Sequence, residues 1–385
     1  MLLGLAVFDE LVSGISSVGA PDIEAALGAS HALAMLVLFV VPGVIALLVE
    51  PRIFLVQHRH PWLVRAGCAV MAAGCAVSAI APGAVSLALA SGALFIAIGT
   101  CSGIAQARLV ADAGDAKGRV MTRWTLLALA GDLLAPALLA VVSWRAAYAV
   151  LAAGLLAWTL LLPPVPAARD ADDAAPPVRF RDAIRDRQLV VWLAATALCD
   201  LLDEILIVFA SLHVRGALGG SPLAQTATVV SFMAGGALGL VALDKLLANR
   251  DERRVLFAAA IACALAYAAW LGVPSAWPGA ASGPASGAAP WLAAALMLPV
   301  GAFAAPLYPL TAAQAYAQRP DSPGAVLAAS HLFTPVGLAL PFVIGLVADH
   351  AGTHVALALL VIQPLGLACL ATRSASVASG NAPRA

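Results

Sequence analysis

Apolar residues follow one another in blocks of about 20 along almost the whole chain, with short polar or Pro- and Gly-rich breaks between the blocks. A helix of that length crosses the hydrocarbon core of a bilayer, where lipid offers the backbone no hydrogen-bond partners. The pattern therefore predicts an all-α membrane protein with twelve transmembrane helices. The predicted spans are about 2–20, 31–50, 62–81, 84–107, 122–142, 145–163, 188–212, 225–247, 253–272, 290–315, 323–347 and 353–371.

The first apolar block has no basic residues before it, and it carries two acids, Asp9 and Glu10. A secretory signal peptide has a basic start and a purely apolar centre. We therefore expect the first block to be retained as a membrane-spanning helix.

Basic residues fall almost entirely on one side of the predicted helices. With the N-terminus in the cytoplasm, all but two of the 21 Lys and Arg residues lie in cytoplasmic segments, and only Arg145 and Arg215 lie outside. Cytoplasmic loops are the ones that carry an excess of Lys and Arg. Because Arg also far outnumbers Lys, as in GC-rich bacterial genomes, we predict a multi-pass protein of the bacterial inner membrane with both termini in the cytoplasm.

Two linkers interrupt the apolar pattern. Residues 163–187 are polar and Pro-rich and then basic, which is compatible with a solvated tether or, after Pro177, with a short interfacial helix. Residues 272–290 are rich in Gly, Pro, Ser and Ala, so we expect an outer loop there. The predicted organisation is an N-terminal six-helix bundle over 1–163, a cytoplasmic central loop over 164–187, a C-terminal six-helix bundle over 188–372 and a cytoplasmic tail over 373–385.

Composition narrows the classes of function. Hydrophobic residues make up 62% of the chain, charged residues 11%, and the net charge is zero, so we expect no nucleic-acid partner. The six cysteines lie in apolar blocks without a C-x-x-C spacing, which predicts packing residues rather than metal ligands. The sequence has no G-x-S-x-G, H-E-x-x-H or phosphate-binding Gly-Lys-Ser/Thr motif. We therefore predict no enzyme activity, no cofactor and no metal site.

Carboxylates lie inside apolar blocks of both halves. Asp9 and Glu10 in the first span and Asp203 and Glu204 in the seventh are 194 positions apart. A charge at mid-membrane depth costs about 2.5–3.5 kcal/mol, so such residues mark functional sites. With Asp200, the acids of the seventh span fall at i, i+3 and i+4, which predicts that they share one helix face. The corresponding polar stripe of the first span comprises Asp9, Ser13, Ser16 and Ser17.

Other polar residues inside the spans leave their roles open. Asp132 and His331 occupy matched positions in the fifth and eleventh spans, where a proton relay, a substrate contact or a packing and gating contact are all compatible with the sequence. Gln106 and Gln314, in the fourth and tenth spans, fit either cavity contacts or hydrogen bonds at helix ends. A purely structural alternative also exists for the acids, because Glu10 and Glu204 can hold helices together through buried backbone or hydroxyl groups.

The two halves repeat each other in parallel order. Each of three short matches links a helix of the first half to the helix six places later, which indicates a duplicated bundle. A charged site between two duplicated halves is typical of secondary transporters. The matched segments are 43–47 with 239–243, 105–107 with 313–315, and 131–136 with 330–335.

Two motifs resemble those of the major facilitator superfamily. Asp244-Lys245 followed by Arg250-Asp-Glu-Arg-Arg254 is similar to the family's cytoplasmic G-x-x-x-D-(R/K)-x-G-R-(R/K) loop. Its first-half copy has Glu50-Pro-Arg52 and Gln57-His-Arg-His60 where the usual Asp and Gly stand. The sequence Gly131-x-x-x-Ala-Pro136 resembles the fifth-helix motif of the family's proton-coupled antiporters.

The resemblance implies two pseudo-symmetric six-helix bundles whose first, fourth, seventh and tenth helices line a central cavity. The two acid stripes are then expected to face each other across that cavity. On this basis the proton-coupling or substrate-binding candidates are Asp9, Glu10, Asp200, Asp203, Glu204, Asp132 and His331. The cavity-lining candidates are Ser13, Ser17, Gln106 and Gln314, and the gating-loop candidates are Asp244, Lys245 and Arg250.

A carboxyl group in a dry cavity releases and rebinds a proton as the cavity becomes hydrated from alternate sides. We therefore predict a monomeric, proton-coupled transporter of a small organic solute that works by alternating access in the lipid bilayer. Efflux of cationic or lipophilic compounds is favoured, because the membrane interior is rich in acids and poor in Arg. The alternatives are uptake of a neutral metabolite, such as a sugar or nucleoside, and a non-transporting membrane sensor or membrane enzyme.

Overall fold

The computed structural model describes residues 1–28, 36–56, 62–162, 180–273 and 288–380. The described part of the chain is helical and contains no β-strand, which confirms the predicted all-α class. Residues 163–179 of the predicted central loop, residues 274–287 of the predicted outer loop and residues 57–60 of the first-half motif copy lie outside the described residues.

The chain divides into two compact units. Unit 1 comprises Met1–Val190 together with Gln318–Leu332, and unit 2 comprises Val191–Ala317 together with Phe333–Ala385. Unit 1 therefore includes a short segment from the second half of the sequence. The predicted boundaries of the bundles at 163 and 188 stay a prediction.

Helices α1 to α8 belong to unit 1, and a π-helical turn, Leu36–Val40, precedes α3. They are α1 (Leu5–Val18), α2 (Ala20–Leu27), α3 (Val41–Val56), α4 (Leu63–Ile80), α5 (Ala84–Asp112), α6 (Lys117–Leu139), α7 (Trp144–Leu161) and α8 (Phe180–Arg185).

The boundary between the units falls within α9, and most of the later helices belong to unit 2. They are α9 (Arg187–Ala197), α10 (Glu204–Gly216), α11 (Pro222–Leu246), α12 (Glu252–Leu271), α13 (Ala288–Ala304), α14 (Leu307–Gln318), α15 (Pro323–Ser330, in unit 1), α16 (Thr334–Ala351), α17 (Thr353–Leu359) and α18 (Ile362–Gly380).

Nine helices of the described part are long and apolar enough to cross a membrane. They correspond to predicted spans two to four, six and eight to twelve. Predicted spans one, five and seven are missing from this set, and they are the spans in which acids were predicted to act. The helix of the first span, α1, is only 14 residues long. The helix of the fifth span, α6, carries four charged residues, Lys117, Arg119, Arg123 and Asp132. The predicted count of twelve stays a prediction.

Several predicted spans differ from the single uninterrupted α-helix predicted for each. The second does not end at Glu50 as predicted, because α3 continues through Pro51 to Val56. The seventh is divided by a 3₁₀ turn over Leu198–Leu202, and the eleventh by a 3₁₀ turn over His331–Phe333. The tenth breaks between α13 and α14, where Pro306 cannot donate a backbone hydrogen bond.

Glycines bring α11 and α13 of unit 2 into close contact. A Cβ atom added to Gly235 or Gly239 would overlap the carbonyl oxygen of Leu298 or Ala302, and one added to Gly301 would overlap the carbonyl oxygen of Phe232. Small residues that let backbones approach are the usual basis of helix packing in membranes. Gly235 and Gly239 therefore serve the packing of these two helices.

Candidate functional site

Helices α1 and α6 of unit 1 cross at a contact made by small residues. A Cβ atom on Gly131 would lie 2.5 Å from the carbonyl oxygen of Val7 and 2.9 Å from Cβ of Glu10, and one on Gly14 would lie 2.5 Å from Cβ of Ala135. The Gly131-x-x-x-Ala135 pair of the predicted antiporter motif thus acts here as a packing surface for α1. The crossing holds Glu10 against α6, where Asp132 is half-buried beside Gly131.

Asp9 lies on α1 and is half-buried. Its carboxylate pairs with the hydroxyl group of Ser102, a residue of α5 that is 4% exposed. A carboxylate inside a membrane protein needs such donors, because lipid supplies none. Ser102 was not predicted from the sequence; it is one of several small polar residues on α5, and nothing in its spacing distinguishes it.

Glu50 is a second acid of this region and was missed as a site residue. It lies on α3, is only 6% exposed, and its Oε2 is 3.4 Å from Nε2 of His331. Asp9 lies close enough for its charge to act on Glu50. The sequence signal was present, since Glu50 is an acid in an apolar block, but the predicted end of the second span placed it at the cytoplasmic boundary.

His331 lies in the 3₁₀ turn that divides the eleventh predicted span. Its ring packs against the ring of Phe54 with 5.3 Å between centroids, and Phe54 follows Glu50 by one turn on α3. Residues four apart share a helix face, so Glu50 and Phe54 contact the same imidazole ring from one face of α3. The matched sequence positions of His331 and Asp132 do not make them equivalent in contacts, because His331 pairs with Glu50.

The serines of α1 divide between two environments. Ser16 is buried and its Oγ lies 2.7 Å from the hydroxyl oxygen of Tyr148 on α7. Ser13 and Ser16 line a small pocket against α5, where Ser91 adds a third hydroxyl. Ser17 is exposed and donates to the carbonyl oxygen of Ser13 within its own helix. Ser13 therefore faces this pocket and Ser17 faces away from it, and the central-cavity role predicted for both stays a prediction.

The acids of the seventh predicted span do not lie on one face of a continuous helix, and that expectation is wrong. Asp203 has φ −121° and ψ −102°, outside the helical region, and it separates the 3₁₀ turn from α10. Asp200 and Asp203 are both exposed, and Asp200 lies beside Gly337 of α16. The side chain of Glu204 lies outside the described residues. Discontinuous helices of this kind are where transporters place binding sites.

A buried polar cluster lies next to these acids in unit 2 and was also missed. The thiol of Cys199 is 3.6 Å from the hydroxyl group of Thr311, and it accepts a contact from the amide Nε2 of Gln363 at 3.6 Å. All three side chains are buried. Cys199 was predicted to be a packing residue, and its contacts with two polar groups link the 3₁₀ turn to α14 and α18.

The two glutamines bind neighbouring helices. Gln106 is buried and its amide contacts the sulfur of Met121 on α6 at 3.5 Å. Gln314 accepts from Nε of Arg253 and donates to Oε2 of Glu252, both at 3.0 Å. Of the two roles considered for Gln314, the hydrogen bonds to the start of α12 therefore fit the structure.

The predicted gating loop joins α11 and α12. Asp244 is half-buried at the end of α11, whereas Lys245 and Arg250 are exposed. The next residue, Asp251, accepts from the backbone N–H of Arg254 and caps α12. Through Glu252 and Arg253, the loop is thus fixed to Gln314 of α14.

Among the described residues, no group of three or more His, Cys, Asp or Glu side chains could hold a metal ion. The described structure brings together Asp9, Ser102, Glu50 and His331 in unit 1, and Asp200 and Asp203 near the Cys199 cluster in unit 2.

Comparison with known proteins gives structural matches and no sequence matches. No protein-family model matches the chain, and no curated protein matches it in sequence. The Escherichia coli fucose:proton symporter FucP is similar in structure, with TM-score 0.69 and 14% identity over 96% of this chain and 97% of that chain. A bacterial homologue of the iron transporter ferroportin in an outward-facing state has TM-score 0.73 and 12% identity over 97% and 98%. A second structure, of the major facilitator superfamily transporter FucP in the outward conformation, has TM-score 0.62 and 13% identity over 96% and 97%.

These likenesses cover nearly the whole chain and nearly the whole of each neighbour, and the named neighbours are transporters rather than enzymes. Together with the apolar helices, they identify a multi-pass membrane protein. The chain therefore has the fold of the major facilitator superfamily of transporters.

Proposed function

We propose that this protein is a proton-coupled secondary transporter of a small solute. The observation that carries the proposal is the contact between Glu50 and His331 inside unit 1, with Asp9 near enough for its charge to act on Glu50. Ionisable residues inside membrane helices are costly to keep, and in transporters they mark proton relays and ion pathways. The likeness in fold to a fucose:proton symporter supports the same reading.

We infer further that the favoured substrate class is cationic or lipophilic compounds, exported in exchange for protons. A carboxylate that binds a cation must be ionised, and one that binds a proton is neutral. Proton and cation therefore exclude each other at Asp9, and that competition links their movements in opposite directions. Asp200 and Asp203, exposed beside an interrupted helix, are proposed as a separate acidic position within unit 2.

A specific observation favours a second candidate, a neutral solute rich in hydroxyl groups. Ser13, Ser16 and Ser91 line one small pocket, and Ser102 pairs with the nearby Asp9. Hydroxyl and carboxyl groups donate and accept hydrogen bonds to a neutral polyol without needing a charge on it. In this case the proton and the solute bind together, and the two move in the same direction.

Three probes in proteoliposomes separate these possibilities. Ethidium represents the lipophilic cations, L-fucose the neutral sugars, and Fe²⁺ the metal cations, because one structural neighbour is a homologue of an iron transporter. Proton movement is followed with a pH-sensitive dye inside the vesicles. We expect an ethidium gradient to drive protons the opposite way, whereas fucose would drive them the same way if the second candidate is correct.

We predict that Asp9→Asn abolishes solute-driven proton movement, because the amide cannot ionise. Asp22→Asn, a change of an exposed residue in α2, is the matched control and should behave like the unmodified protein. Proton movement with none of the three probes, or an unchanged response in Asp9→Asn, would contradict the proposal.

A further inference from the structure

Two histidines of unit 2 lie close together near the ends of three helices. His213 is in the last turn of α10 and is only 3% exposed, whereas His354, at the start of α17, is exposed. Their ring centroids are 6.1 Å apart. The ring of His354 also contacts the carbonyl oxygen of Leu271, the last residue of α12. Because α12 leads into the predicted outer loop, we expect this pair to lie on the outer side of the membrane.

Aromatic side chains bury the first of these histidines. The ring of His213 packs against that of Trp270 with 5.7 Å between centroids, and Tyr267 stacks on Trp270 at the same separation. Both aromatic residues are almost completely buried. The hydroxyl group of Tyr267 donates to the carbonyl oxygen of Leu357 at 2.7 Å and so fixes α12 to α17. The imidazole of His213 is thereby held in place beside His354.

The ring nitrogens of the pair are suited to binding a ligand. Within the described part of the chain, Nδ1 of His213 is buried and has no hydrogen-bond partner. Nε2 of His354 lies 3.4 Å from the carbonyl oxygen of Leu271, and because a carbonyl oxygen only accepts, this nitrogen carries the proton. Nδ1 of His354 then carries the lone pair of its ring. Histidines that bind metals usually donate their other N–H group to a carbonyl or carboxylate in this way.

The spacing of the two rings fits one shared metal ion. An ion about 2.0–2.1 Å from a ring nitrogen lies about 3.2 Å from the centre of that ring. Two rings bound to the same ion, at angles from tetrahedral to linear, therefore have centroids about 5.2–6.4 Å apart. The observed separation of 6.1 Å lies within this range.

The one Arg of α10 is directed away from this position. Arg215 follows His213 by two residues, and residues two apart do not face each other on a helix. Its guanidinium group donates to Oε1 of Gln225 on α11 at 3.2 Å. The positive charge of α10 is therefore engaged elsewhere and does not occupy the place of a cation between the two imidazoles.

We propose that His213 and His354 bind one divalent transition-metal ion of the Zn²⁺ type, with water in its remaining positions. A charged imidazole is costly to bury among aromatic rings, so His213 is neutral, which is the form that binds metals. Imidazole suits Zn²⁺, Cu²⁺, Ni²⁺ and Fe²⁺, whereas Mg²⁺ and Ca²⁺ prefer oxygen ligands. The site belongs to unit 2 and is independent of the proposed proton-coupling group in unit 1.

A bound ion joins the end of α10 to the start of α17. The other end of α10 adjoins Asp203, whose backbone is outside the helical region, so that end has no continuous helix to restrain it. An ion that binds the folded protein and not the unfolded chain raises the stability of the folded state. We therefore expect Zn²⁺ to raise the midpoint of thermal unfolding, and a chelator to reverse the shift.

Calorimetric titration of Zn²⁺ into the purified full chain, with any affinity tag removed, tests the proposal without any transported solute. We expect one Zn²⁺ ion per chain and no binding of Mg²⁺ under the same conditions. The midpoint of thermal unfolding is measured on the same samples, with and without Zn²⁺.

His354→Ala changes an exposed side chain and should weaken Zn²⁺ binding at least tenfold and abolish the thermal shift. His213→Ala should have the same effect, and His354→Ala decides the question alone if the buried variant does not fold. His350→Ala is the matched control: His350 is an exposed histidine of α16 whose Nδ1 contacts the carbonyl oxygen of Leu346, and its loss should leave Zn²⁺ binding unchanged.

Absence of Zn²⁺ binding to the unmodified chain would overturn the proposal. So would a weakening of less than tenfold in His354→Ala, an equal weakening in His350→Ala, or equal affinities for Zn²⁺ and Mg²⁺.

Discussion

At the scale of single residues, the interior of unit 1 is held together by a few polar contacts between helices. Ser16 and Tyr148 link α1 to α7 through a 2.7 Å contact between their hydroxyl groups, and both side chains are buried. Ser16 also donates to the carbonyl oxygen of Val12, so it keeps one hydrogen bond when the Tyr148 hydroxyl is removed. The loss is then that of one ordinary hydrogen bond, about 0.5–1.5 kcal/mol.

We therefore predict that Tyr148→Phe destabilises the protein by about 0.5–1.5 kcal/mol, seen as a lower midpoint of thermal unfolding in detergent. Ser17→Ala removes a hydroxyl that bonds only within its own exposed helix turn and should leave the midpoint almost unchanged. Equal midpoints for the Tyr148→Phe and unmodified proteins would show that this contact does not stabilise α1 on α7.

Glu50 illustrates what residue patterns could and could not predict. An acid within an apolar block was visible in the sequence, but the predicted span ended at Glu50 and placed it at the boundary of the membrane. In the structure α3 continues through Pro51, because membrane helices tolerate a proline when neighbouring groups satisfy the freed carbonyl. The pairing of Glu50 with His331 joins positions 281 residues apart and depends on tertiary packing, which no spacing rule reports.

At the scale of helices, the apolar pattern predicted uninterrupted spans well. Predicted spans 62–81 and 225–247 correspond to Leu63–Ile80 and Pro222–Leu246. The interruptions at Leu198–Leu202 and His331–Phe333 were not predicted, because a 3₁₀ turn needs no change in hydropathy. Both interruptions lie at titratable residues, Asp203 and His331. The helix breaks that the sequence did not predict are therefore located at the candidate sites.

The contact of α11 with α13 gives a prediction at this scale. Gly235→Ala would drive its new methyl group into the carbonyl oxygen of Leu298 and force the helices apart. We expect a loss of about 1–3 kcal/mol in thermal unfolding, the usual cost of overpacking. Gly345→Ala on α16 is the matched control, since nothing lies within 4 Å of its added Cβ atom, and it should be tolerated. Similar losses in both variants would instead indicate a general effect of changing helix glycines.

At the scale of the whole molecule, composition and span length were sufficient to predict an all-α membrane protein, because a chain this apolar has few structures open to it in lipid. The organisation into compact units was less predictable. Gln318–Leu332 belongs to the second half of the sequence but packs within unit 1, through contacts with α3, α5 and α8. A repeat in sequence indicates common origin of the two halves and does not determine which segments pack together.

The central claim is that buried carboxyl groups of α1 and α3 bind the coupling proton. Its most direct test is infrared difference spectroscopy of the purified full chain during a change of pH, which detects the C=O stretch of protonated carboxyl groups without any substrate. We predict a signal that changes with pH, that loses intensity in Asp9→Asn and in Glu50→Gln, and that is unaltered in the exposed control Asp22→Asn. An unchanged signal in both of the first two variants would contradict the claim.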